Sequence, residues 1–253
     1  MRQVAAIAAV TFREVLRRKV QVNLLIFGSL IILASLMISR LTIGEQHRIL
    51  SDLGLSAATA IGTLIAVFVG SSLVAGDIER RVLQPVVAKP ASRTQYLLGR
   101  YLGLALALVT NLGAMAVVLA AVLCVEAGSL RPLDSSLLAA LLMLGVQFLV
   151  VAAVAILFSS VTSTTLAAIF TLALAVAGHL TSEVRAIWQG DATWIPKVIW
   201  YLVPNLSALS LNAAVIYRSP VPQAAWLAAA YGFLYAAAAL ALASLSFERR
   251  DLR

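Results

Sequence analysis

Residues 135–182 contain no Asp, Glu, Lys or Arg, and neither do residues 20–39. Runs like these decide the solvent. Globular domains carry about 25% charged residues, whereas this chain of 253 residues carries 12% and is 62% hydrophobic. A soluble core cannot absorb so much apolar surface, so the bilayer must. About 20 apolar helical residues cross a hydrocarbon layer about 30 Å thick. Stretches near 20–39, 56–76, 97–125, 136–158, 161–180 and 223–247 meet that length. The expected fold is all-α: one polytopic transmembrane domain of six helices. Between the fourth and fifth stretches, "SSVTSTT" (159–165) reads as a tight turn, with one long broken helix and five spans as the alternative.

Six spans place residues 1–19, 77–100 and the tail after 247 on one side, and 40–55, 126–135 and 181–222 on the other. The first side holds thirteen Lys and Arg against six on the second, while acids divide five against six. Cytoplasmic loops collect Lys and Arg. Both termini and the 77–100 connection are therefore expected inside, and the net charge of +8 follows topology, with no nucleic-acid partner. The single cysteine, Cys124, lies in an apolar run without metal-ligand spacing.

Two flanking segments have character of their own. Val4, Ile7, Ala8, Thr11, Phe12 and Val15 fall on one helical stripe, with Arg2, Arg13 and Arg17 opposite. This predicts an amphipathic interfacial helix over 1–19 rather than a loose basic arm. In 181–222, Trp188, Trp194, Trp200, Tyr201 and Tyr217 are membrane-interface residues, and Pro196 and Pro204 interrupt an otherwise apolar run. A short interfacial or re-entrant segment is expected there, or aromatic anchors for the neighbouring spans.

The chain shows none of the motifs of the enzyme classes a membrane protein would suggest. There is no G-x-x-x-x-G-K-[ST] phosphate loop and no H-E-x-x-H, and the only histidines are His47 and His179. No span holds the paired carboxylates of an aspartyl protease, nor the mid-span acid that marks an ion-coupled carrier. Asn111 and Gln147 are the polar residues at mid-span, and interhelical hydrogen bonds account for such amides. No cofactor is expected in this chain.

The most polar stretch is "GDIERRVLQPVVAKPASRTQYLLGR" (76–100). Together with "YLG" it resembles the cytoplasmic loop of type-2 ABC-transporter permeases. Gly76, Ile78, Glu79, Arg80, Lys89, Pro90, Ser92, Arg93, Leu98, Gly99 and Gly103 carry the match, and Asp77 stands where Glu is more usual. "FREVLRRKV" resembles that family's elbow helix. "YLVPNLSALSLNAAVIY" and "LSFERRDLR" resemble the branch associated with multicopper-enzyme maturation. The resemblance implies a permease, not itself an enzyme, in a bacterial or archaeal cytoplasmic membrane and paired with a second copy. It implies a separate ATP-binding subunit that holds ATP and Mg.

It also implies that the 77–96 loop is a coupling helix touching that subunit through Asp77, Glu79, Arg80, Arg81, Lys89, Pro90 and Arg93. A solvated basic anchor is the plainer reading of the same residues. Gly99, Gly103 and Ala107 offer a close-packing face toward either the same bundle or a second subunit. An ATP-driven exporter is the expected function. The alternative relays ATP-driven motion to an extracytoplasmic protein without moving a solute.

Overall fold

The computed structural model describes residues 2–39, 45–79, 92–128, 134–181, 203–217 and 219–249. Most of these residues are helical: α1 (Arg2–Leu16), α2 (Lys19–Ser39), α3 (Gln46–Glu79), α4 (Arg93–Ala127), α5 (Ser135–Val161) and α6 (Thr164–His179). A 3₁₀ turn (Ser207–Leu209), α7 (Asn212–Ile216) and α8 (Ala224–Arg249) follow. Residues 80–91, the middle of the expected 77–96 coupling helix, lie outside the described residues, while 77–79 belong to the end of α3 and 93–96 to the start of α4. Trp188, Trp194, Trp200 and Tyr201 also lie outside the described residues.

Among the described residues, five helices, α2, α3, α4, α5 and α8, are long and apolar enough to cross a membrane. The expected span at 161–180 is realised as the 16-residue α6. At 1.5 Å per residue it reaches about 24 Å, short of the hydrocarbon thickness. The Ser/Thr run does end a helix. α5 stops at Val161, Thr162 N–H donates to Phe158 O at 2.9 Å, and extended Thr162 and Ser163 precede α6. Phe158 meets Phe170 and Gln147 meets His179 across the turn, so α5 and α6 form an antiparallel hairpin and not one broken helix.

Helix lengths differ from expectation for local reasons. α3 begins ten residues before the expected 56, because polar side chains one turn apart satisfy each other there: Arg48 pairs with Glu45 at 2.5 Å and Ser51 with His47 at 3.4 Å. α4 begins at a capping box. The Ser92 hydroxyl accepts from Gln95 N–H at 3.2 Å, and the Gln95 side chain accepts from Ser92 N–H at 3.3 Å. It ends at Gly128, whose φ of 59° lies in the left-handed region that glycine adopts without a Cβ clash.

Close contacts set the register. Added Cβ atoms at Gly54 and Gly70 would strike or crowd Leu119 and Leu104, so α3 and α4 run antiparallel. Gly62 and Gly70 lie against Phe148 and Ala155, so α3 and α5 run in the same sense. α8 runs with α5, with Gly232 against Val146 and Val150, and Ala236 and Ala239 clustered with Ala153. α1, the end of α3, the start of α4 and the end of α8 therefore meet at one end of the bundle, here called the stem end. The mid-span amides pair between helices. Gln21 Nε2 donates to Asn111 Oδ1 at 3.3 Å, and Gln147 Nε2 lies 2.9 Å from His179 Nε2.

At the far end, residues 203–217 pack into the bundle, with Leu206, Leu209, Leu211, Ala214 and Val215 buried. Asn205 organises this block. Its Oδ1 accepts from Thr181 Oγ1, Ser207 Oγ and Ala208 N–H at 2.9, 2.8 and 3.1 Å. Leu206 N–H donates to Gly178 O at 3.1 Å, satisfying a carbonyl at the end of α6.

Candidate functional site

The stem end holds a cluster of ionised side chains between α1, α3 and α4. Arg100, in the second turn of α4, donates to Asp77 at the end of α3 and to Glu14 Oε2 of α1 at 2.6 Å. Its Nε donates to the Tyr96 hydroxyl at 3.2 Å, and Tyr96 donates in turn to Asp77. Arg18 completes the set, donating to Glu14 Oε1 at 2.6 Å and to the Ser72 hydroxyl. Two cations face two carboxylates, so the cluster is neutral overall.

Burial makes this pairing consequential. The side chains of Arg100 and Asp77 are only 11% and 13% exposed, and Glu14 is 37% exposed. Burial pushes the Glu14 carboxyl upward, but hydrogen bonds and charge from Arg18 and Arg100 outweigh it and hold the group below its ordinary range. Arg serves here because its planar fork reaches several acceptors at once.

Glycine brings α1 to the cluster. A Cβ added at Gly99 would lie 2.7 Å from Ile7 Cβ, and one at Gly103 would lie 2.5 Å from Thr11 Cβ and 2.6 Å from Ala8 O. Successive turns of α1 meet successive turns of α4 in the same direction, so the contact is lengthwise. The stripe predicted for the membrane surface thus has a protein partner along part of its length. Thr11 and Val15 are buried, Phe12 packs against the core, and Ile7 is half-buried. Ala107, fully buried, continues the same helix inward.

The residues expected to touch an ATPase separate into three groups. Asp77 is engaged inside the chain by Arg100 and Tyr96, and its carboxylate is not a free surface group. Arg93 opens α4 and donates to Phe247 O at 3.1 Å, tying α8 to the stem. Glu79 closes α3 but its side chain is not described, and Arg80, Arg81, Lys89 and Pro90 lie outside the described residues. Glu14, Tyr96 and Arg100 do not stand out as site residues from motif matching. The signal that could find them is Arg100 itself, which charge counting assigns to the 77–100 connection although it also lies at the edge of the apolar stretch 97–125, where a charge within a span marks function.

At the far end, a cleft of about 470 Å³ opens between α3, α6 and residues 210–212. Its polar lining comes from Ser56, Thr59, Thr63, His179, Ser210 and Asn212. His179 Nδ1 lies 2.8 Å from Ala175 O, which makes Nδ1 the donor and leaves Nε2 to accept from Gln147.

No curated protein gives a significant match to the sequence. The sequence model of one family, described as ABC-2 family transporter protein, matches residues 5–252. That span takes in the stem cluster and the far-end block, and permeases of this family work with a separate ATP-binding subunit. The chain belongs to the ABC-2 transporter family, as a multi-pass permease subunit of an ABC transporter.

Proposed function

We propose that this chain is one half of a homodimeric exporter in a bacterial or archaeal cytoplasmic membrane, with the stem end facing the cytoplasm. ATP and Mg are held by the partner subunit, and residues 77–96 form the coupling element between them. The observation that carries this reading is the placement of the ion-pair cluster. Asp77 braces the helix entering the 80–91 connection, and Tyr96 and Arg100 brace the helix leaving it. A push on that connection moves both stems together, and Glu14 passes the displacement to α1. Glu79, Arg80, Arg81, Lys89 and Pro90 are the residues proposed to meet the ATPase.

A second reading has the permease relay motion to an extracytoplasmic protein without transport. The Asn205-centred block favours it, since a rigid far end can pass force outward. Sealed vesicles holding the purified complex separate the two: solute movement supports export, and ATP turnover without movement supports relay.

The orientation has its own test in intact cells, with Cys124 replaced by alanine. A cysteine at Gly190 is expected to react with a membrane-impermeant thiol reagent, and one at Arg253 is expected to resist it. Labelling at Arg253 with protection at Gly190 would invert the topology.

A further inference from the structure

We infer that α3 carries a hinge at Ser71–Ala75, held by Ser159 of α5 as a positioning residue. The Ser159 hydroxyl donates to Ser71 O at 2.7 Å and accepts from Ala75 N–H at 2.8 Å. Those two backbone groups, four residues apart, are the ones an uninterrupted α-helix joins to each other. A side chain that bonds both groups competes with the bond between them, and a side chain entering that ladder is one of the few recognised causes of a helix bend. Ser159 and Ser71 are both fully buried or nearly so, so water does not compete for the arrangement.

The neighbouring residues fit the same role. Ser71 and Ser72 turn their hydroxyls back to Phe68 O and Val69 O at 3.3 and 2.9 Å, a contact that loosens and bends helices. Gly70 lets α5 approach, since its Cβ would lie 2.7 Å from that of Ala155. Gly76, just past the hinge, would carry a Cβ that meets nothing within 4 Å. Asp77 then links the moving turn to Arg100 and Tyr96. The hinge concerns the same stem as the proposed coupling element and rests on that reading only for its consequence: it lets the stem pivot without breaking α3 inside the bilayer.

Hydrogen exchange on the purified full-length protein in lipid nanodiscs tests the hinge apart from any ATPase. In Ser159→Ala that competition is gone, and Ala75 N–H bonds to Ser71 O alone. Exchange over residues 75–79 should slow at least about fivefold, the factor matching one hydrogen bond's net worth. Ser159→Cys, close in size but a poor hydrogen-bonding partner, should slow it too and carries the test if the alanine variant fails to assemble. Unchanged or faster exchange over 75–79 in the variant that assembles would mean that Ser159 only ties α3 to α5, and would overturn the hinge. Because no ATPase is present in the experiment, failure of the coupling reading cannot produce either outcome.

Discussion

Arg100→Leu is expected to be the most damaging single change in the chain. It leaves Asp77 without its cation and removes one of two from Glu14, at a place where the Arg100 and Asp77 side chains are only 11% and 13% exposed. Breaking a buried pair from one side costs about 3–5 kcal/mol, a large share of the roughly 5–15 kcal/mol by which a typical domain is stable. The melting temperature of detergent-solubilised protein should fall steeply, or monodisperse protein should be lost. The double change Arg100→Leu with Asp77→Leu should recover part of the loss, because apolar replacement of both partners is often neutral. Arg100→Lys should fall between, keeping the charge without the fork. Equal melting of parent and Arg100→Leu would show that the cluster is a solvated arrangement of little weight.

The second large effect belongs to Gly103. Any side chain there meets Ala8 O at 2.6 Å, and a backbone oxygen cannot rotate away. Gly103→Val should therefore lift α1 off α4, at a cost of about 1–3 kcal/mol or more, and draw Glu14 away from Arg100. Trypsin should then cut at Arg13 or Arg17 much faster than in the parent. Gly113→Ala is the matched control: its added Cβ meets nothing within 4 Å, and alanine favours a helix over glycine by roughly 1 kcal/mol. Equal trypsin rates for the two variants would mean that α1 does not depend on the glycine face.

These two residues also mark how far the sequence can be read. Hydropathy and length locate the apolar helices, and the Ser/Thr run correctly places the turn at Thr162 and Ser163. The spacing of Gly99 and Gly103 announces a close contact but not its partner, because periodicity describes one helix at a time. That the partner is α1 depends on how the chain returns after α3. Arg100 and Asp77 count with the basic loop by position, yet they form an internal pair, since charge counting cannot tell a loop cation from one folded inward. α6 reads as a full span on composition, but its end at His179 is set by the folded 203–209 block, whose Leu206 N–H bonds Gly178 O. Gln95 falls within the expected 77–96 loop and is half of the α4 capping box.

The connection between α3 and α4 is proposed to carry the ATPase's motion into a braced stem. The most direct measurement is the ATPase rate of the partner subunit, copurified with the parent permease and with Glu79→Lys, whose backbone closes α3 beside Asp77. Charge pairs shielded at an interface can be worth a few kcal/mol, against about 0–1 kcal/mol when exposed. Glu79→Lys should lower copurification, or leave the complex intact with hydrolysis no longer responsive to the permease. Membrane insertion should be unchanged, because the added charge agrees with the inside rule. Glu126→Lys, the same charge change at the opposite end of α4, is the control. If both variants copurify and stimulate hydrolysis as the parent does, the connection is only a solvated basic anchor, and the coupling account fails.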